Sequence, residues 1–189
     1  MRAYEIIRMK WLAIAGFAAV FSAQAAPELC FDEAGRDYGI DPTLLMAISI
    51  QESRLNPTAI NSASAGGTED VCAMQLNSNN FVKLKNFNIT RKDLLNNPCI
   101  CVYSGAWILA RNFQAYGRNW DSVGMYNTGP NPKLIKARRE YARIIKSIYT
   151  VLLARKQLLE KGTGDPVKTS PFSENADQRT QIKDDKKPG

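Results

Sequence analysis

Four cysteines, Cys30, Cys72, Cys99 and Cys101, constrain this chain more than any other feature, because what they do depends on where the chain folds. The amino terminus indicates that place. Arg2, Arg8 and Lys10 precede the apolar run Trp11 to Ala23, and Ala23-Gln24-Ala25 offers an A-x-A cleavage site, the three parts of a secretory signal peptide. The run, 13 residues, is too short to span a bilayer. Pro27-Glu28-Leu29 before Cys30 lacks the small residues of a lipoprotein cleavage site, so no stable membrane anchor is expected. Residues 1–25 are read as a removable leader. In an oxidising compartment an even set of cysteines implies two disulfides, and four cysteines leave three connectivities open. Metal binding is disfavoured, because Cys99-Ile100-Cys101 is not a C-x-x-C pair and the chain has no histidine to complete a mixed site.

The absence of histidine also excludes Ser-His and Cys-His nucleophiles and any imidazole acid or base. Proton chemistry falls to carboxylates, Lys, Tyr or Cys. Lys and Arg exceed Asp and Glu by 25 to 18, a net +7 that favours acidic partners without choosing among them. Eight basic residues between Lys133 and Lys156 face only Glu140, but no aromatic interleaving supports base stacking, and no nucleic-acid partner is expected.

The mature chain reads as helical. A first helix is expected over 28–38, stopped by Gly39, and a second starts at Asp41 as N-cap with Pro42 at its first position and runs to about Leu55. Residues 56–70, rich in Asn, Ser, Ala, Gly and Thr, read as a loop, and Val71 to Leu76 as a short strand. Thr90 and Asp93 form a capping box, and Pro98 opens a helix with Val102, Ala106, Leu109 and Phe113 on one face. A short helix is expected from Asp121, a turn over 127–131, and a last helix from Pro132 with Tyr141, Ile144, Ile145, Ile148 and Leu152 as its apolar stripe. The domain organisation is then a leader (1–25), one folded domain (26–160) and a tail (161–189) too poor in apolar residues to order itself.

Glu52 is the most informative residue in that domain. It follows Leu45 by seven positions and Ile48 by four, which puts its carboxyl on the core-facing side of the second helix. Burial disfavours the charged form, so such a carboxyl stays protonated toward neutral pH and can act as an acid. The plain alternative is a solvated Glu at a helix end, paired with Arg54 or Lys83.

Three stretches around and beyond it carry a resemblance: Gln51-Glu52-Ser53-Arg54-Leu55-Asn56-Pro57, Cys72-Ala73-Met74-Gln75-Leu76-Asn77 and Met125-Tyr126-Asn127-Thr128-Gly129-Pro130. In order and spacing they resemble the signatures of the lysozyme-like lytic transglycosylases, over about residues 28–150. Asn97-Pro98-Cys99 leading into Gly105-Ala106-Trp107-Ile108-Leu109 is similar to the small exported branch that accompanies type IV secretion and conjugation systems, type IV pili and some type III secretion systems.

The resemblance implies a mainly α, lysozyme-like fold, α+β with a minimal β element, in a single domain with a glycan groove. It implies Glu52 as catalytic acid and base, Ser53, Gln75 and Asn127 near or in the groove, Tyr126 close to the Glu52 carboxyl, and Met74 on the groove floor. It implies a periplasmic enzyme that cleaves peptidoglycan glycan strands without cofactor or metal, with secretion or conjugation apparatus proteins as partners. Residue by residue, Ser53 is equally a helix cap, Gln75 a strand residue, Met74 a core side chain and Tyr126-Asn127 a packed turn. The chain departs from the pattern at Cys72 and Ala73, where the family has Gly and Leu, and at Met125, where it has Ala. The resemblance to the secretion-associated branch suggests a Cys30–Cys99 bond. We infer Cys72–Cys101 for the second, since both cysteines lie off the family pattern. A rival catalytic scheme rests on Asp70, which precedes Met74-Gln75 much as the second carboxylate of animal-type lysozymes precedes a similar stretch.

Overall fold

The structure is a computed structural model and describes residues 28–64, 66–160 and 171–172. The leader 1–25 lies outside the described residues, as do 161–170 and 173–189 of the tail.

Helix α1 (Phe31–Tyr38) starts later than its sequence pattern suggested, and ends on Gly39, whose φ of 60° lets the chain reverse at no steric cost. The Asp41 carboxylate accepts the Thr43 N–H at the start of α2 (Pro42–Ser53), which buries Leu44, Leu45, Ala47 and Ile48. Arg54 and Leu55 then both take positive φ, turning the chain out of α2 immediately after Glu52 and Ser53.

The stretch 56–70, expected as a loop, is instead largely a hairpin. Strands β1 (Ile60–Ser64) and β2 (Thr68–Val71) pair antiparallel, with Gly66 and Gly67 at positive φ between them. Val71 closes β2 rather than opening a strand, and after a tight turn at 72–75 the two-residue β3 (Leu76–Asn77) pairs back on β2. The order β1-β2-β3 puts Asp70 in the central strand, opposite Asn61 and Asn77. Polar residues at both ends and on both faces of the hairpin hid the alternation that marks a strand.

Short α3 (Phe81–Leu84) and α4 (Arg91–Asn96) follow, the latter closed by the reciprocal Thr90–Asp93 box. The Asn97 side chain caps α5 (Pro98–Tyr116), the core helix that buries Val102, Ala106, Leu109 and Phe113. Helix α6 (Trp120–Thr128) is capped by Asn119 and reaches through Asn127 and Thr128, which were expected in a turn. A 3-10 turn at Pro132–Leu134 leads into α7 (Ile135–Glu160), which lies against α2 and α6.

Gly124 and Gly105 allow close approaches between elements. A Cβ on Gly124 would meet the Arg138 carbonyl oxygen at 2.4 Å, and one on Gly105 would meet Met74 Cε at 2.7 Å, so α6 packs on α7 and α5 on the 72–75 turn through bare backbone. Arg138 belongs to the basic run between Lys133 and Lys156, yet it is buried: its guanidinium donates to Thr128 Oγ1, Asp121 Oδ2 and the carbonyls of Gly129 and Asn131, knitting the end of α6 to α7. Disulfides join Cys30 to Cys99, tying the α1 entry to the start of α5, and Cys72 to Cys101, tying the 72–75 turn to the same helix.

Candidate active site

The second helix delivers Glu52 where its register placed it, on the face of fully buried Leu45 and Ile48, one residue from the helix end. Its carboxyl accepts a short hydrogen bond from the Tyr141 hydroxyl of α7. Burial pushes the Glu52 carboxyl up to about 7; the Tyr141 bond pulls the other way, and the nearby Asp70 charge adds to the rise. Desolvation first, and the Glu52 charge second, hold the Tyr141 and Tyr126 hydroxyls protonated well above the ordinary phenol value. Both tyrosines are therefore donors, and Glu52 is a carboxyl that can carry a proton near neutral pH.

The 72–75 turn forms the adjoining wall. Cys72 and Gln75 both adopt positive φ, an unusual state for side-chain-bearing residues, and three hydroxyls brace the carbonyls that this conformation exposes. Ser49 and Ser53 Oγ donate to the Ala73 oxygen at 3.1 and 2.8 Å, and the Tyr126 hydroxyl donates to the Met74 oxygen at 2.9 Å. On the core side the Met74 N–H points at Cys101 Sγ at 3.3 Å.

These contacts also give several of the expected site residues structural roles. Ser53 joins the helix to the turn and also accepts the Asn56 N–H, so it acts as both brace and cap. Gln75 spends its amide N–H bonds on the Cys72 and Ala59 carbonyls, holding the turn together. The Met74 side chain, expected on a groove floor, is fully buried against Gly105, because the positive-φ turn rotates it inward; what it presents to Tyr126 is its carbonyl. Asn127 is exposed at the last turn of α6, next to Tyr126. Asp70 accepts from Asn77 Nδ2 at 2.8 Å across the β2–β3 pair and is close enough to act electrostatically on Glu52 and Tyr126.

Tyr141 was legible only as part of an apolar stripe. A second pair on the same two helices explains its register: Tyr149, two turns further along α7, donates to Asp41 at the start of α2 at 2.7 Å. Two tyrosine–carboxyl bonds thus align antiparallel α2 and α7, one at each end of α2.

The chain matches the Transglycosylase SLT domain family over residues 29–149. It belongs to that family. This transglycosylase is 41% identical over 123 residues to the invasion protein IagB of Salmonella typhimurium (strain SL1344), covering 65% of this chain and 76% of that one. It is 40% identical over 131 residues to the X polypeptide of Escherichia coli (strain K12), covering 67% and 76%, and 36% identical over 125 residues to protein IpgF of Shigella flexneri, covering 66% and 82%. Its fold is like that of an inactive mutant of the lytic transglycosylase Slt from Pseudomonas aeruginosa, with a TM-score of 0.54 at 18% identity. That match covers 67% of this chain and 24% of the Slt chain, about a quarter of its length. The protein is a peptidoglycan lytic transglycosylase with a mainly helical, lysozyme-like fold.

Proposed function

We propose that this enzyme cleaves the β-1,4 bond between N-acetylmuramic acid and N-acetylglucosamine and leaves 1,6-anhydromuramoyl ends. The observation that carries the reading is the Glu52 carboxyl, held on the core side of α2 with its pKa pushed up to about 7. Protonated Glu52 would give its proton to the bridging oxygen as the bond to C1 breaks through an oxocarbenium-like state. The resulting carboxylate then takes the proton of the muramoyl C6 hydroxyl as that oxygen closes on C1. Glu52 ends protonated, and no water is consumed. The Tyr141 hydrogen bond favours the carboxylate, so it would ease the first transfer and hold the carboxylate in place for the second.

A hydrolytic muramidase is the second reading, favoured by the proximity of Asp70 to Glu52. If the two flank the scissile bond, they form the carboxyl pair of a retaining glycosidase. Digestion of purified sacculi with mass spectrometry of the new ends separates the two. Anhydro ends, with Asp70→Asn keeping much of the activity, support the transglycosylase; reducing ends with an inactive Asp70→Asn variant establish the hydrolase.

We propose further that the enzyme is exported by its leader to the periplasm and opens the wall locally for a secretion or conjugation apparatus. The support is the resemblance of 97–109 to the secretion-associated branch and the likeness to a protein named for invasion. No helix among the described residues is long and apolar enough to cross a membrane.

A further inference from the structure

Beyond the Glu52 site, a hollow of about 500 Å³ lies between α6 and α7, lined by Trp120, Asp121, Ile135, Ala142 and the cations Arg139, Arg143 and Lys146. Asp121 is engaged by buried Arg138 and Arg143 by Glu140, while Lys146 Nζ sits 5.9 Å from the centre of the Trp120 ring. Trp120 has a second neighbour. Phe172, from far along the tail, stacks edge-on at 5.2 Å from Trp120 and 5.9 Å from Phe113.

That position lies well back from the end of α7. Helix α7 continues 14 residues past Lys146 to Glu160, about 21 Å at 1.5 Å per residue, yet Phe172 lies back beside Trp120. Immediately after Phe172 comes Ser173-Glu174-Asn175-Ala176-Asp177, with two carboxylates and no cation. At ~3.3 to 3.6 Å per residue, Glu174 reaches about 7 Å and Asp177 about 17 Å from Phe172, enough to bring both to the cationic wall.

We propose that the α6/α7 hollow is the docking site of the chain's own segment 173–177, with Phe172 as the aromatic anchor and Glu174 and Asp177 paired with Arg139, Arg143 and Lys146. Exposed pairs are individually weak, so the anchor supplies the localisation and the charges supply the direction. The docked segment covers the cationic stripe of α7 and fixes where 178–189 leave the domain. Trp120 touches Tyr149, which bonds Asp41, and Asp41 precedes Glu52 by 11 residues on α2, about 16 Å along the helix. The Phe172 anchor thus sits toward the start of α2, away from Glu52.

Zero-length carbodiimide coupling of the full mature chain, followed by peptide mass mapping, tests this directly. The expected product joins Lys146 to Glu174 or Asp177 within one chain, and Phe172→Ala lowers its yield at least fivefold. Coupling of Lys156 to Glu160, 3.7 Å apart, is the internal control. The control product without the Lys146 product, an unchanged yield in Phe172→Ala, or joining of isotopically labelled to unlabelled chains would overturn the proposal, the last in favour of a second copy as occupant. A Glu174→Gln, Asp177→Asn double variant leaves the anchor in place. Iodide quenching of its tryptophan emission should rise about twofold, and unchanged quenching also overturns the pairing.

Discussion

Glu52 ties catalysis and stability to the same proton. Its carboxyl rises from an ordinary 4.5 to about 7, so between those values the native state keeps a proton that the unfolded chain has released. Stability from this group is full below about 4.5 and is lost as pH rises through about 7. Glu52→Gln is expected to abolish cleavage of sacculi, to leave stability near pH 4 unchanged, and to raise stability at pH 8 by on the order of 3 kcal/mol, read by denaturant titration at both pH values. Catalysis by the protonated acid should likewise fall as pH rises through about 7. Tyr141→Phe removes the one hydrogen bond that lowers this pKa, so the alkaline limb of the kcat profile moves to higher pH while kcat drops roughly ten- to a hundredfold. A purely structural role for Tyr141 would leave the limb in place.

At the level of elements, the site depends on the 72–75 turn and on the approach of α7. Cys72–Cys101 closes a loop of 29 residues, and chain entropy sets its contribution at about 3 to 4 kcal/mol. Replacing both cysteines with Ala and Ser should lower stability by that order. It should also reduce activity at temperatures where the protein is still folded, because the Ala73 and Met74 carbonyls that anchor Ser49, Ser53 and Tyr126 lose their tether to α5. Gly124→Ala places a methyl group against the Arg138 backbone, which has no flexible end to move aside; a loss of about 1 to 3 kcal/mol is expected in thermal melts. The capping residues Asp41, Thr90 and Gly39 were readable in the chain because caps act within a few residues, whereas the Asn97 cap of α5 was not singled out. The β1–β2 hairpin was not: its polar strands contribute a platform for Asp70 rather than a hydrophobic face, so no alternation announces them.

For the whole molecule, Phe172 is a described point where the tail meets the domain. Truncation after Glu160 is expected to keep activity on sacculi, since the Phe172 ring packs on Trp120 and Phe113. It should nonetheless lower the melting temperature by a few degrees, because it uncovers the edge of Trp120 and Phe113. A large loss of activity would show instead that the tail completes the glycan site. The domain's charge follows the same division between exposed and buried. Arg139, Arg143 and Lys146 line an open hollow, whereas Arg138, one position from Arg139, is withdrawn into the α6/α7 joint.

What the sequence determined alone was whatever acts over short spans or through a fixed period: the caps at Gly39, Asp41 and Thr90, the core-side register of Glu52 after Leu45 and Ile48, and the three family stretches in their order. Tertiary structure decided which distant groups meet. Tyr141 finds Glu52 across 89 residues, and Tyr149 finds Asp41 across 108. Met74 turns its side chain inward and gives Tyr126 only its carbonyl, and Phe172 returns to Trp120. The physical reason is common to all four. A side chain's role here depends on desolvation and on partners supplied by another element, and neither is encoded in the local spacing of the residues that carry it.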